Sequence, residues 1–390
     1  MTAAVKNGVL TIGLEGRVDH SNSDELGREL SRILSEYDHD SVVLDAEKLL
    51  YLSSAGLRVI LSVRKKSPGL RIVNASDEVY SIFLMTGFTE MMPIERAMKR
   101  LSVEGCPVLG RGAKGTVYRY NEDTIVKVYR DADSLPDAKR ERELARRAFV
   151  LEIPTAISYD IVRVGDSYGS VFELLDAAPY TKLIAEDPEH RSQYIADYAA
   201  LLRKLHGTKV RQEDMPDIKD YVRRWVGSAA AYLQPEETEK LNRLIDETPD
   251  TLTMIHGDYH TNNVMLQNGE TILIDMDTLS HGHPVFELAG IYITYVGFGI
   301  DDPHMVEDFL GIPYALATSI WEEFLPAYLG TDDQKVIEDV ARKAILLATL
   351  RRLRHTARRP EADTPSGKKI IGDCVRTLRQ LLPLTDKLSF

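Results

Sequence analysis

The sequence predicts two folded units in tandem: an α/β unit whose sheet is covered by helices, then a bilobal α+β unit. Three observations predict this. Residues 9 to about 95 alternate short β-rich runs with single helical patterns. The stretch IERAMKRLSVEGCPVLG (94–110) breaks that alternation near residue 100. Beyond it, a glycine-rich hairpin and several strands up to about 176 give way, from Pro179, to long helical patterns. The expected boundaries are 1–98 for the first unit and 105–390 for the second. Within the second, a small lobe is expected at about 105–176 and a helical lobe at about 177–390.

In the first unit Val9, Leu10, Ile12, Leu14 and Val18 open a strand. HSNSDELGRELSRIL follows, with Leu26, Leu30, Ile33 and Leu34 at helical spacing behind Ser, Asn and Asp capping residues. SVVLDA (41–46) and LRIVNA (70–75) read as strands. Leu57, Ile60 and Leu61 line a helix after Ser53-Ser54, and Val79, Ile82, Phe83 and Met85 line another. In the second unit YIADYAALLRKLHG (194–207) and VIEDVARKAILLATLRRLRHTARR (336–359) read as helices, with a β-rich passage at 252–276 and an exposed loop at 360–368.

Composition narrows the function. The 390 residues hold 48 Lys and Arg against 60 Asp and Glu, a net charge of −12, nearly all of it arising after residue 100. That balance disfavours nucleic acid and anionic membrane surfaces as partners. No apolar run approaches the ~18 residues of a spanning helix. The start lacks a charged region ahead of a long apolar stretch, so a cytoplasmic location is expected. Cys106 and Cys374 are far apart and in no ligand spacing, which disfavours a disulfide framework or a zinc site.

Four elements in order point to phosphoryl transfer. VLGRGAKGTVYRY (108–120) contains Gly110, Gly112, Gly115 and Val117 in G-x-G-x-x-G-x-V spacing. Such a hairpin lets backbone N–H groups approach nucleotide phosphates. TIVKVY (124–129) then places Lys127 at the centre of a strand, where it can pair with the α and β phosphates. The helix 137–151 offers Glu141 or Glu143 to hold that lysine. Glu141 shares the apolar face with Leu144, Ala145 and Ala148 and is favoured, whereas Glu143 lies with Arg146 and Arg147. Finally MIHGDYHTNNVML (254–266) sets Asp258 and Asn263 in H-x-D-x-x-x-x-N spacing after His256, and TILID ends in Asp275. A carboxylate at 258 can take the acceptor hydroxyl's proton. Asn263 and Asp275 offer hard oxygen donors suited to Mg²⁺, with Asp277 near enough to assist. Metal-dependent hydrolysis would leave the glycine loop and Lys127 unexplained.

Residues 105 to about 360 resemble the aminoglycoside phosphotransferase family, of protein-kinase-like fold, through HGDYHTNN at His256, Gly257, Asp258, His260 and Asn263. The resemblance implies bound ATP, Mg²⁺ on Asn263 and Asp275, Asp258 as catalytic base, and a hinge near Phe172, Glu173 and Leu174. It makes His206, ending LLRKLHG, structural, and it places Glu287 where the family more often has Asp. Residues 9 to about 95 resemble a STAS domain, the fold of anti-sigma-factor antagonists. GRVD (16–19) and YLSSAGLRVIL (51–61) carry that likeness: Ser53 stands where Asp is usual, Ser54 at the phosphorylated position, Ala55 where a second Ser is common, and Gly56 and Leu57 match. Ser54 is therefore a candidate phosphosite at a helix N-terminus, and an N-cap is the simpler reading of the serine pair.

The leading expectation is an ATP- and Mg²⁺-dependent phosphotransferase acting on a hydroxyl, with a STAS domain for regulation or partner binding. A small hydroxylated acceptor or a protein serine, Ser54 included, would serve, and the acidic helical lobe suits a cationic acceptor. The alternative is a partner-switching module whose kinase-like lobe phosphorylates a protein serine or only binds nucleotide. The run RRLRHTARR (351–359) is expected to be a solvated helix end.

Overall fold

The computed structural model describes residues 1–112 and 114–390, and the chain divides into two compact units, Met1–Leu101 and Ser102–Phe390.

The first unit is built on a five-stranded sheet whose strands Thr2–Lys6, Val9–Val18, Ser41–Leu52, Arg71–Ala75 and Ile94–Arg96 lie side by side in chain order. The first pair is antiparallel and the others parallel. Sequence reasoning began the sheet at Val9 and missed the strand before it. That strand is largely exposed, so it lacks an apolar pattern. The available signal was Asn7-Gly8, whose positive φ values of 52° and 75° suit a two-residue hairpin. Leu10, Ile12, Leu14 and Leu44 of the sheet are buried against Leu26, Leu30 and Ile33 of helix Ser23–Glu36 and Leu57, Ile60 and Val63 of helix Ser54–Lys66.

The second unit begins with antiparallel strands, in spatial order Ser158–Val164, Ser167–Glu173, Thr124–Tyr129, Gly115–Arg119 and Val108–Arg111. Helix Leu135–Val150 turns Ala138, Glu141, Leu144, Ala145 and Ala148 inward, so a carboxylate lies within an otherwise apolar stripe.

A helical lobe follows. One of its cores gathers Tyr198, Leu202, Tyr259 and Phe324, and another gathers Trp225, Val226, Ile245, Leu347 and Leu378. Between helices lies the short β passage Met254–Ile255, Val264–Gln267, Glu270–Leu273 and Ser280–His281.

Two expectations are corrected here. Residues 360–368 are not a loop: after a short turn at Pro360–Asp363, helix Pro365–Leu381 begins with Thr364 as its N-cap, Thr364 Oγ1 accepting from Gly367 N at 3.1 Å. Proline at the first helical position is compatible with a helix start, and the buried stripe Ile371, Cys374 and Leu378 supplies the driving force. The run 351–359 is the end of a helix, as expected, but it is only partly solvated. Helix Gln334–Ala357 runs through most of it, Arg352 is buried and paired with Asp301, and Arg351 is half-buried. Among that run's arginines, Arg358 and Arg359 are the exposed ones.

Candidate active site

The glycine-rich hairpin joins Val108–Arg111 to Gly115–Arg119, with Gly112 N donating to Gly115 O at 2.9 Å. Residue 113 lies outside the described residues. Its glycines have different reasons to be there. A Cβ on Gly115 would stand 2.2 Å from Val128 O, so strand packing alone demands glycine. A Cβ on Gly110 would meet nothing within 4 Å, and one on Gly112 would barely touch Gly115 O. Their backbone is therefore open to close approach.

Val117 pairs with Lys127 across the sheet. Lys127 Nζ lies 2.8 Å from Glu141 Oε1 and 2.9 Å from Asp275 Oδ1, with Asp277 Oδ2 at 4.0 Å. Burial opposes its charge, yet Glu141, Asp275 and Asp277 together raise its pKa well above the ordinary lysine range. Glu141 is anchored in turn, its Oε2 accepting from Tyr129 OH at 2.5 Å, and Tyr129 OH meets Ser170 Oγ at 2.8 Å. Glu143 instead faces outward. Hydrogen bonds from Arg146 and Arg147 hold it at about 2. Lys114, on the hairpin, pairs with Asp277, a contact the sequence did not suggest.

The segment Met254–Asn263 is held rigidly from beneath. Glu287, in the first turn of helix Val285–Tyr295 and 1% exposed, accepts from His256 N at 2.6 Å and from Gly257 N at 3.0 Å. Gly257 has φ 85°, and a Cβ there would stand 2.7 Å from Thr278 O, so no other residue fits without displacement. Thr278 Oγ1 donates to His256 O, and His256 Nδ1 accepts from Asp258 N at 3.3 Å. These contacts leave the Asp258 side chain 39% exposed, with Oδ2 3.6 Å from His260 Nε2. Burial works to raise the Asp258 pKa. The neighbouring His260, His256 and Arg351 outweigh it and hold the carboxyl below its ordinary value.

Asn263 Nδ2 donates to Asp258 O at 3.0 Å and also lies 3.2 Å from His260 Nε2, which turns the amide oxygen away from the loop. Asp275 follows strand Glu270–Leu273 and is in the left-handed region, φ 63° and ψ 65°. A non-glycine residue there is uncommon, although Asp tolerates it, and such strain concentrates at functional positions. The donor set is thus an amide oxygen and carboxylates, which fits Mg²⁺ rather than a softer ion. Among the described residues no three His, Cys, Asp or Glu side chains cluster as a closed metal cage. An ion here would complete its shell with water and phosphate oxygens, as Mg²⁺ commonly does.

Other expected residues are placed as follows. Phe172 and Glu173 end strand Ser167–Glu173, where the chain leaves the sheet. Glu173 Oε1 accepts from Ile157 N at 2.7 Å and Leu174 N donates to Asp123 O at 2.7 Å, so both groups are already used within the protein. His206 Nδ1 contacts Tyr328 OH at 2.7 Å and its Nε2 lies 3.8 Å from Glu287 Oε2, a buried support behind the loop. In the first unit Ser53 is the N-cap of helix Ser54–Lys66, its Oγ accepting from Gly56 N at 3.4 Å, while Ser54 is exposed on the first turn.

The model of the phosphotransferase enzyme family, APH, matches residues 106–314. The chain belongs to this family. The STAS domain model matches residues 1–100. Over 91 residues the chain is 28% identical to the anti-sigma F factor antagonist of Paenibacillus polymyxa, spanning 22% of this chain and 78% of that relative. Over 92 residues it is 34% identical to BtrV of Bordetella bronchiseptica, spanning 23% of this chain and 78% of that relative. Among solved structures it is similar to the ADP-bound aminoglycoside phosphotransferase APH(2'')-Ib, at 17% identity and a TM-score of 0.47, covering 73% of this chain and 94% of that one. The protein is thus a phosphotransferase-family unit preceded by a STAS domain. Among the described residues no helix is long and apolar enough to cross a membrane.

Proposed function

We propose that the protein is an ATP-dependent kinase that moves the γ-phosphoryl group to a hydroxyl, and that its STAS domain binds a partner or regulates this activity. The observation that carries the reading is one constellation. Lys127 is fixed between Glu141 and Asp275, and Asp258 presents an ionised, accessible carboxylate on a loop pinned by Glu287.

Each residue then has a task. Gly110 and Gly112 offer open backbone to the phosphates, and Lys127 pairs with the α and β oxygens. Asn263 and Asp275 would hold Mg²⁺, which when bound neutralises charge on the β and γ phosphates. Asp258 orients the acceptor hydroxyl and takes its proton as the new O–P bond forms. A carboxyl whose pKa is depressed remains ionised at neutral pH and is ready for that role. Glu141 acts on Lys127 rather than on substrate.

Calorimetric titration with ATP, with and without Mg²⁺, tests the reading. Wild type is expected to bind ATP more tightly with the ion present. Lys127→Ala removes a charge-assisted contact and is expected to weaken binding about ten-fold or more. Absence of ATP binding by wild type would overturn the proposal.

A further inference from the structure

The helical lobe carries a cluster of positive charge against its own acidic balance, and one member of it, Arg351, acts on the Asp258 carboxylate. Helix Gln334–Ala357 presents Arg351 and Arg354 one turn apart, and Arg358 follows at the helix end. Arg224 comes from helix Ile218–Ala229. Arg351 is set inside the fold rather than on its rim. Its Cζ lies 5.6 Å over the Trp225 ring, and its Nη1 would be 3.2 Å from a Cβ at position 290, so Gly290 clears its path. The guanidinium is close enough to Asp258 and Glu287 for each carboxylate to favour its charge against the cost of burial.

Apart from the more distant Asp258 and Glu287 carboxylates that act on Arg351, these arginines have no paired counter-charge. Arg352 is paired with Asp301 and Arg223 with Asp220 and Asp246, yet among the described residues no ion pair is made by Arg224, Arg351, Arg354 or Arg358. Arg354 Nε is buried without a hydrogen-bond partner. Burial and the charges of Arg358, Arg351 and Arg224 all disfavour the Arg354 cation. Guanidinium groups gathered this way are completed by an anion, which they bind bidentately.

We propose that the phosphoryl acceptor is a small hydroxylated molecule carrying a carboxylate or phosphate, with Arg351 and Arg354 binding that anionic group. This rests on the kinase reading above and replaces the cationic acceptor suggested by the lobe's overall charge. The acceptor O–H bond breaks with its proton passing to Asp258. The O–P bond forms, and the bond from Pγ to the bridging oxygen breaks with its electron pair leaving on ADP. The set-in position of Arg351 favours a small anion over an acidic protein surface, which would meet the exposed Arg358 first.

The test is calorimetric titration of the full chain, its nucleotide site filled with AMP-PNP and Mg²⁺, with glycerol 3-phosphate, glycerate and choline. Both anions are expected to bind, more weakly as salt rises, and choline not to bind. Arg351→Gln and Arg354→Gln are each expected to weaken the anions about ten-fold or more, with AMP-PNP affinity kept; Arg351→Lys should fall between. Binding of choline without the anions, no anion binding, or equal anion binding by wild type and both Gln variants would overturn the proposal. So would a phosphoryl group appearing on Ser54 when the protein is weighed after incubation with ATP and Mg²⁺ alone, which would make a protein serine the acceptor. If AMP-PNP itself fails to bind wild type, the kinase reading falls, a result distinct from failure of the anion site alone.

Discussion

Replacing Glu287 by Gln isolates what the buried carboxylate does for the Asp258 loop. In the structure its two oxygens accept from His256 N at 2.6 Å and Gly257 N at 3.0 Å, with 1% of the residue exposed. Gln is nearly the same size, so packing hardly changes. It keeps one accepting oxygen but turns an N–H₂ toward the other amide. Gly257 N thus loses its nearer acceptor, faces another donor, and keeps only the longer contact of 3.2 Å to the oxygen it must share with His256 N. An unsatisfied buried donor costs about 1–3 kcal/mol, and this one is weakened rather than orphaned, so a loss of about 1–2 kcal/mol is expected. Relief of that repulsion would shift the loop, and Asp258 is the next residue after Gly257. A displacement of about 1 Å at a catalytic group can cost about 10²-fold in rate. Urea unfolding of the full chain reads the first effect and turnover at saturating ATP the second. Stability within about 0.5 kcal/mol of wild type together with unchanged turnover would refute the reasoning, since that is the range of an ordinary surface substitution.

Other substitutions probe separate parts of the account. His283 is 7% exposed, burial first and then nearby positive charges lower its pKa to about 4, and its Nδ1 accepts from Val285 N at 3.2 Å. The unfolded chain binds this proton near 6.5, so the stabilisation from the neutral ring is complete above that pH and is lost as pH falls toward 4. Stability is expected to drop about 2 kcal/mol from this group between pH 7.5 and 5. His283→Asn keeps an acceptor without titrating and should flatten that slope; an unchanged slope in denaturant midpoints would argue against it. Thr364→Ala removes the cap of helix Pro365–Leu381 and should cost about 1 kcal/mol in the same assay, whereas no loss would mean the cap contributes nothing.

Much of this site was legible because each residue obeys a local rule. Glu141 was distinguishable from Glu143 by helical phase alone: the structure puts Glu141 2.8 Å from Lys127 and Glu143 on Arg146 and Arg147. The spacing of Asp258, Asn263 and Asp275 lies within one short β passage, so chain proximity brought them together. What escaped depends on contacts between distant segments. Lys114 meets Asp277 across 163 positions, and Glu287 reaches back 31 and 30 positions to the amides of His256 and Gly257. Arg351 looked like surface charge because a run of arginines usually is. Its inward turn depends on Gly290 and Trp225, which no one-dimensional pattern relates to it. In the first unit the strand Thr2–Lys6 is exposed and so lacks the apolar alternation that reveals a buried strand, leaving its Asn-Gly turn as the signal. The helix from Pro365 was hidden because Pro, Ser and Gly suggest a loop and yet are tolerated in a first helical turn.

The central claim is that Asp258 serves phosphoryl transfer and not nucleotide binding. Its most direct test compares wild type with Asp258→Asn at saturating ATP and Mg²⁺, following release of ADP while calorimetry records ATP affinity. The account expects ADP release to fall by about 10²–10⁴-fold, the contribution of a positioned general base, with ATP affinity nearly unchanged. Turnover equal to wild type would contradict it, as would a loss of ATP affinity large enough to explain the whole fall in rate.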